Sequence, residues 1–390
     1  MTATIAEIET VQVSLPTRRE HKWTGLTEPI GGYILVRMTG GNGLVGWGEA
    51  PALKDWGGDY GRYFGESPAT ARLVIETYLA PAVVGLDAAQ PAPMHAAMDA
   101  AVKGYPYAKG AVEMAAYDLA GRSFGVPVHR LLGGKLRDSV PITHSIGLLA
   151  IDEAVEECRV VVAEGIKTIK IKVGVDPERD VEIVRRIREA VGPATRLCVD
   201  ANCGYATPYE AVRIIRRMEP AGLIYAEQPV EGIDGLAEVR RAIGVPLMAD
   251  ESAWNARDVL EIAERRAADI VSIYTTKPGG LFRAMQVAAV ARAAGLISNV
   301  NGSVETGVGN LANLQLAAAA EPVTLSCVVP VSMPAEHRKG RIGGVYYTDD
   351  LICAPLAHVD GAVPVPDGPG MGVDIDEAKI ERYRVEPGDA

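Results

Sequence analysis

The stretch TIKIKVGVDPERDVEIVRRIREAVGPATRLCVDA, residues 168–201, contains a strand, an amphipathic helix and a second strand. Its two ends are short runs rich in β-branched residues, and its middle has the 3.6-residue apolar period of a helix that packs on one face. Eight such runs, separated by helical patterns, occupy 140–146, 168–173, 196–201, 223–228, 246–251, 269–277, 296–301 and 323–329. Strands and helices that alternate in this way predict an α/β fold of the (β/α) TIM-barrel type.

An open, doubly wound sheet uses the same strand–helix units and is the alternative to the barrel. Its nucleotide-binding forms carry a glycine-rich phosphate loop after a strand. This sequence has no GxGxxG after a first strand and no GxxxxGK[ST]. Nothing in it therefore supports a nucleotide-binding fold.

The regions on either side of the barrel have different patterns. Residues 5–15 and 31–49 show strand, turn and strand, with glycines at the turns, and helical periodicity follows from about residue 67 to 132. This pattern predicts a three-strand meander followed by a helical bundle. After about residue 330 the chain becomes rich in Pro and Gly (VPVPDGPGMGVDID), and we expect this tail to pack back on the first domain.

Composition excludes several classes of function. The 390 residues include 39 Lys and Arg against 50 Asp and Glu, a net charge of −11, which argues against a nucleic-acid partner. No apolar run approaches the roughly 20 residues that span a bilayer, and the first residues lack the pattern of a secretory signal. The five cysteines are an odd number without a CxxC pair, which disfavours a disulfide scaffold or a zinc ribbon. We therefore expect a cytoplasmic protein without a membrane partner.

Charged residues recur near the carboxyl ends of five successive predicted strands. They are Lys170 and Lys172 in IKIK, Asp200 in VDAN, Glu227 in YAEQP, Asp250 in ADES and Lys277 in YTTKPGG. From Lys172 onward the intervals are 23 to 28 residues, about one strand–helix unit each. A single Asp after a strand is usually a helix N-cap, but independent caps would not fall at every successive strand end. The two lysines must point inward, because helices cover the outer face of a barrel. The series predicts an active site at the barrel mouth.

Three carboxylates and three lysines suggest a specific chemistry. Three oxygen ligands suit a hard divalent cation, Mg²⁺ or Mn²⁺, with positions left for water or substrate. A cation that binds a substrate carboxylate acidifies the adjacent C–H bond and stabilises the enediolate that forms. A lysine accepts that proton only in its neutral form, which nearby positive charge favours.

The motifs KIK, VDAN, YAEQP, ADES, YTTKPGG and GSVETGVGN, in this order, resemble the enolase superfamily, in its muconate lactonizing enzyme subgroup. This resemblance extends to PYAKGAVEMAAYDLAGRSFGVPVHRLLGG and covers essentially the whole chain. It implies a (β/α)7β barrel (131–335) and an α+β capping domain (1–130), on which the C-terminal segment (336–390) packs. It also implies a small carboxylate substrate, Mg²⁺ as cofactor and a homo-oligomer. By the same resemblance, the metal ligands are Asp200, Glu227 and Asp250, and the catalytic residues are Lys172 as base, Lys170 as its partner, Lys277 on the opposite face and Glu305 as a substrate contact.

Three functions stay open at this point. We place cycloisomerisation of a muconate-type diacid first and racemisation or epimerisation of an α-substituted carboxylate, such as an N-acyl amino acid, second. A barrel that binds acids without catalysis is a remote third. The mandelate racemase subgroup uses a histidine base late in the barrel, and no histidine lies between predicted strands two and eight. A dipeptide epimerase is disfavoured because TLSCVVPVSM lacks an Asp-x-Asp pair.

In this family two loops of the capping domain cover the barrel mouth, and here they correspond to residues 16–30 and 51–66. We expect these loops and the strand ends to supply substrate-binding residues, namely His21, Trp23, Trp56, Tyr60 and Asn202. The alternative is that the aromatic residues only pack the loops against the core.

Overall fold

The computed structural model describes residues 3–27, 29–59, 62–302, 304–329 and 333–385. The N-terminal region begins with an antiparallel meander of β1 (Ile5–Ser14), β2 (Gly32–Gly40) and β3 (Val45–Ala50). Helical segments follow at α1 (Pro68–Val74), a π-helical turn (Ile75–Leu79), α2 (Ala80–Val83), α3 (Pro91–Ala101), α4 (Pro106–Phe124) and α5 (Val128–Leu131). The predicted meander and helical bundle are confirmed.

Helix α4 lies directly on strand β3 because two glycines of that strand have no side chain. A Cβ on Gly48 would come within 2.0 Å of the Ala111 carbonyl oxygen, and one on Gly46 within 2.2 Å of the Ala115 carbonyl oxygen. Any larger residue would push the helix off the sheet. Strand β3 thus lies between β2 and α4, and its last residues reach the barrel.

The barrel is a parallel sheet in which the strands are adjacent in chain order. Its strands are β5 (Thr143–Ile146), β6 (Thr168–Lys172), β7 (Arg196–Asp200), β8 (Leu223–Glu227), β9 (Leu247–Ala249), β10 (Ile270–Ile273) and β11 (Ile297–Val300). The helices between and after them are α6 (Ile151–Ala163), α7 (Pro177–Val191), α8 (Pro208–Met218), α9 (Ile233–Ala242), α10 (Ala256–Arg265), α11 (Leu281–Ala293) and α12 (Gly307–Ala319). Their apolar faces form the largest core cluster with the strands. The predicted TIM-type barrel with a capping domain is confirmed.

The segment 323–329, predicted as the eighth strand, closes the barrel without forming a regular strand. It makes isolated parallel bridges to both neighbours, Ile142 to Cys327 and Ser298 to Val323. The carbonyl oxygen of Ser298 accepts from both Thr324 N (3.0 Å) and Leu325 N (3.3 Å), so the chain bulges there. The ladder is interrupted for this reason, although the segment occupies the expected position.

The first predicted barrel strand, 140–146, is also divided. Its beginning forms β4 (Ser139–Pro141), which pairs with the C-terminal strand β12 (Ala362–Pro364) outside the barrel. The C-terminal region also contains α13 (Ala335–Arg338) and α14 (Glu377–Tyr383). It returns to the meander through bridges from Val13 to Arg384 and from Thr17 to Tyr347. The predicted return of the tail to the N-terminal region is confirmed.

Within the described ranges, no helix is both long enough and apolar enough to cross a membrane. All five cysteines lie within those ranges, and each is a free thiol.

Glu49, at the end of β3, connects the capping domain to a barrel helix. Its buried carboxylate accepts from Thr306 N (2.9 Å), Thr306 Oγ1 (2.5 Å) and Gly309 N (3.1 Å) at the start of α12. Burial raises the pKa of Glu49 from its ordinary 4.5 to about 7, although these hydrogen bonds oppose the shift. Between these values the folded chain keeps a proton that the unfolded chain has released.

The free energy of unfolding should therefore fall as the pH rises from about 4.5 to about 7, by an amount on the order of 3 kcal/mol from this group. Glu49→Gln removes the titration, so its unfolding free energy should decline less over that window in urea denaturation. Glu9→Gln, on the exposed side of β1, is the control. An equal pH dependence in Glu49→Gln and Glu9→Gln would contradict this role.

Candidate active site

A cavity opens at the carboxyl ends of the barrel strands, under the loops of the capping domain. Its walls carry charged, amide and aromatic side chains from both parts of the chain. The lining residues are His21, Trp23, Leu53, Trp56, Ser145, Lys170, Lys172, Asp200, Asn202, Asp250, Tyr274, Asn301, Gly302, Val304, Val328 and Tyr346. Eight of them were predicted from the sequence as site residues.

Lys170 and Lys172 both face the cavity, because alternate residues of strand β6 point to the same side. Lys172 Nζ donates to Asp200 Oδ2 (2.6 Å) and to Asn202 Oδ1 (2.7 Å). Lys170 Nζ is 3.4 Å from the same Asp200 oxygen and 2.9 Å from Glu227 Oε1. The two lysines therefore join the carboxylates at the ends of β7 and β8.

These ion pairs change the acid–base properties of the buried groups. Burial alone would lower the pKa of the Lys170 ammonium, but the carboxylates of Glu227 and Asp200 raise it above its ordinary value. Burial alone would raise the pKa of Asp200, but the two lysines hold it below its ordinary value. Lys170 is therefore a fixed positive charge in this arrangement.

Asp250, after strand β9, is held by two groups from the end of β10. Lys277 Nζ donates to Asp250 Oδ1 (2.7 Å), and Tyr274 OH donates to Asp250 Oδ2 (3.1 Å). Lys277 Nζ also donates to the carbonyl oxygens of Asp250 (2.9 Å) and Ser272 (2.8 Å), and it lies 4.2 Å from the centre of the Tyr274 ring. The Lys277 side chain is 0% exposed and does not line the cavity, whereas its contacts Asp250 and Tyr274 do.

The three carboxylates predicted as metal ligands come from consecutive strands and are all buried. Burial, and then the negative charge of Asp200, raises the pKa of Glu227 well above its ordinary value. Such mutual repulsion of buried carboxylates is what a bound cation relieves. Lysine ammonium groups occupy their oxygens here, and in the described part of the chain no three His, Cys, Asp or Glu side chains converge on one point. The donor set, three oxygen ligands with a −3 charge, fits a hard divalent cation.

The capping loops supply the outer wall of the cavity. Trp23 lies over Lys172, with 5.7 Å between Nζ and the ring centre. Trp56 stacks between Trp254 and Tyr274, with 5.4 Å between ring centres on each side. Trp56 Nε1 also donates to Glu251 Oε1 (3.3 Å), which accepts from Asn202 as well (2.9 Å). His21, Trp23, Trp56 and Asn202 thus line the cavity, and their role in substrate binding stays a prediction. Tyr60 lies outside the described residues.

Three predicted site residues do not line the cavity. Glu227 lies behind Lys170, and Lys277 lies behind Asp250 and Tyr274. Glu305 is fully buried directly behind Gly302, where a Cβ would come within 2.2 Å of Glu305 Oε2. The predicted direct substrate contact of Glu305 would therefore have to be made past Gly302.

Several other residues of the site were not predicted from the sequence. Ser145 and Asn301 lie at the ends of β5 and β11, so strand alternation could have identified them. Gln228 follows Glu227 with φ of +34°, and its Oε1 accepts from Asp250 N (2.8 Å) and Ser252 N (3.2 Å). It thus orients the loop that carries Asp250. Tyr346 comes from the irregular C-terminal region, where no sequence pattern indicated a site residue.

Comparison with known proteins agrees with this geometry. The model "Mandelate racemase / muconate lactonizing enzyme, N-terminal domain" matches residues 5–133, and "Enolase C-terminal domain-like" matches 153–379. Muconate cycloisomerase 1 of Rhodococcus opacus is 31% identical over 385 residues, which is 97% of this chain and 98% of that protein.

Two solved structures have the same fold over nearly their whole length. The 2-chloromuconate cycloisomerase from Rhodococcus opacus 1CP gives a TM-score of 0.89 at 30% identity, covering 98% of this chain and 100% of that one. The N-succinyl Arg/Lys racemase from Bacillus cereus ATCC 14579 gives 0.88 at 27% identity, covering 98% of each chain. All three relatives are isomerases. The chain belongs to the mandelate racemase/muconate lactonizing enzyme family of the enolase superfamily.

Proposed function

We propose that this protein is an isomerase that adds or removes a proton at the carbon next to a substrate carboxylate, through an enediolate. Muconate-type cycloisomerisation is the reaction that we place first. The observation that supports a proton transfer of this kind is the series of buried carboxylates at the ends of β7, β8 and β9, beside the lysine pair of β6. The muconate cycloisomerase relatives support the choice of substrate class, a small diacid.

Asp200, Glu227 and Asp250 would hold Mg²⁺, for which Mn²⁺ could substitute. The ion would supply electrophilic stabilisation of the substrate carboxylate as it becomes an enediolate. Lys170 would stay protonated between Glu227 and Asp200 and would limit the negative charge that the cavity presents to an acidic substrate.

Lys172 is the residue that we assign to the proton transfer. Its side chain lines the cavity, and two acceptors among the described residues, Asp200 and Asn202, occupy two of its three N–H bonds. The third is left for the substrate side. In cycloisomerisation one carboxylate oxygen of the diacid adds to the distal double bond and closes the ring. The displaced electron pair forms the enediolate of the other carboxylate, which adjoins that double bond, and Lys172 delivers one proton to the carbon next to this second carboxylate.

Lys277 favours the cycloisomerase over the racemase. Asp250 Oδ1 and the carbonyl oxygens of Asp250 and Ser272 accept all three of its N–H bonds. In this arrangement Lys277 acts as a fixed positive charge, which suffices for a reaction with one proton transfer. A racemase needs a proton carrier on each face of the substrate.

The racemase remains a second candidate because of where the two lysines lie. Lys172 is on β6 and Lys277 follows β10, four strands further along an eight-position barrel, which places them on opposite sides of the mouth. The structural likeness to an N-succinyl Arg/Lys racemase supports the same candidate. An N-acyl amino acid would be the substrate in that case.

Turnover in D₂O separates the two reactions. We expect cis,cis-muconate to give a lactone with one deuterium at the carbon next to the carboxylate, detected by NMR. Lys172→Ala should lower turnover by about 10²–10⁴-fold because it removes the proton carrier. Lys277→Arg should keep measurable activity, since it keeps the charge, whereas Lys277→Ala should not. Lys167→Ala, at an exposed lysine before the same strand, is the control.

The racemase takes precedence if both enantiomers of N-succinyl-arginine exchange their α-proton and Lys277→Arg is as inactive as Lys277→Ala. Normal turnover by Lys172→Ala would contradict its assignment in either reaction. If none of these acids exchanges its α-proton or forms a lactone, the non-catalytic acid-binding barrel is the remaining candidate.

A further inference from the structure

Glu157, on barrel helix α6, holds the first capping loop through two arginines. Its carboxylate accepts from Arg18 Nη2 (3.0 Å) and from Arg19 Nε (3.0 Å) and Nη2 (2.7 Å). The Glu157 side chain is 9% exposed and the arginine side chains are 17% and 19% exposed, so solvent screens these ion pairs only partly. The loop that carries Arg19 continues directly into His21 and Trp23 on the cavity wall.

A histidine on the neighbouring strand completes the coordination of Glu157. His144 Nδ1 accepts from Gly344 N (2.8 Å), so its proton lies on Nε2, which donates to Glu157 Oε1 (2.9 Å). Burial alone would raise the pKa of Glu157, but His144 and Arg19 hold it well below its ordinary range. Glu157 is therefore an ionised acceptor that orients Arg19.

Arg19 in turn determines the tautomer of His21. Its Nη1 lies 3.4 Å from His21 Nδ1, and a guanidinium group can only donate. His21 Nδ1 must then be the acceptor. Burial, followed by the positive charges of Arg19 and Lys172, lowers the pKa of His21 well below its ordinary value, so the ring is neutral. A neutral ring that accepts at Nδ1 carries its one proton on Nε2.

We propose that Glu157, acting through Arg19, is a positioning residue that presents His21 Nε2–H to the substrate as a hydrogen-bond donor. His21 lines the cavity beside Ser145 and contacts Tyr346 edge-on, with 4.6 Å between ring centres. This wall lies on the β5 side, away from Lys277 at β10. The group that it recognises is an acceptor away from the reacting carbon, such as the second carboxylate of a diacid. The choice of ligand rests on the proposed function, whereas the tautomer does not.

The tautomer can be tested without substrate, by long-range ¹H–¹⁵N NMR of the full-length protein, with His21 assigned from His21→Asn. In the wild-type protein we expect His21 to have an unprotonated Nδ1 and a protonated Nε2. Arg19→Met should give a mixture of tautomers, and Glu157→Gln should shift His21 in the same direction. Glu156→Gln, the exposed neighbour on the same helix, should leave the wild-type spectrum. Because Arg19 lies on the capping loop and not on the barrel, Arg19→Met still tests the effect on the His21 tautomer if Glu157→Gln does not fold.

The ligand is tested by titration with cis,cis-muconate, N-succinyl-L-arginine and a hexadienoate in which a methyl group replaces the second carboxylate. A diacid should shift the His21 Nε2–H signal, and the monoacid should not. His21→Asn and Arg19→Met should weaken binding of that diacid by about 10- to 100-fold, the loss expected for one hydrogen bond to a charged acceptor. Binding of the monoacid should be unchanged.

A proton on His21 Nδ1 in wild type would overturn the tautomer assignment. Spectra of Arg19→Met and Glu157→Gln identical to that of Glu156→Gln would overturn the positioning role of Glu157 and Arg19. A diacid that binds without affecting His21 would overturn the recognition role while leaving the proposed function intact. Failure of both diacids to bind would count against the proposed function and the recognition role, while the tautomer assignment would be decided by the NMR result alone.

Discussion

Pairing of buried charges at the barrel mouth is the constraint on which the rest of the site depends. An isolated ion is costly to bury, and loss of one partner of a buried pair leaves the other uncompensated. Here Lys172 pairs with Asp200, Lys170 with Glu227 and Lys277 with Asp250, each from a different pair of strands. Because parallel strands of a barrel end at one face, the fold brings these charges together without help from flexible loops.

Loops of the capping domain form part of the wall of this charged site. Trp56 stacks on Trp254 and Tyr274, and Glu49 binds the first turn of α12, so two separate contacts hold the N-terminal region on the barrel. The ion pair of Glu157 with Arg19 adds a third contact, at the loop that carries His21 and Trp23. Burial strengthens the electrostatic interactions of the charged groups, and stabilisation of the proposed enediolate would depend on this effect.

Features that depend on residues close together in the sequence were predicted, whereas features that depend on contacts in the tertiary fold were not. Lys172, Asp200 and Asp250 were predicted because strand alternation and the length of one strand–helix unit are local in sequence. The irregular course of 323–329 was missed because the doubled hydrogen bond at Ser298 depends on a neighbouring strand. Tyr346 was missed for a similar reason, since only the tertiary fold brings it to the cavity. The burial of Lys277 behind Asp250 could not be predicted, because spacing gives the strand end but not the depth of a side chain.

Direct binding of a divalent cation tests the central claim, that the carboxylates of three consecutive strands form one metal site beside the lysines. Chelator-treated protein should be titrated with Mn²⁺ and bound ion counted by electron paramagnetic resonance. The account predicts one ion per chain in wild type and in Glu178→Gln, whose carboxylate is exposed on α7, with binding lost or strongly weakened in Glu227→Gln. Absence of binding in wild type, or equal binding in Glu227→Gln and Glu178→Gln, would contradict it.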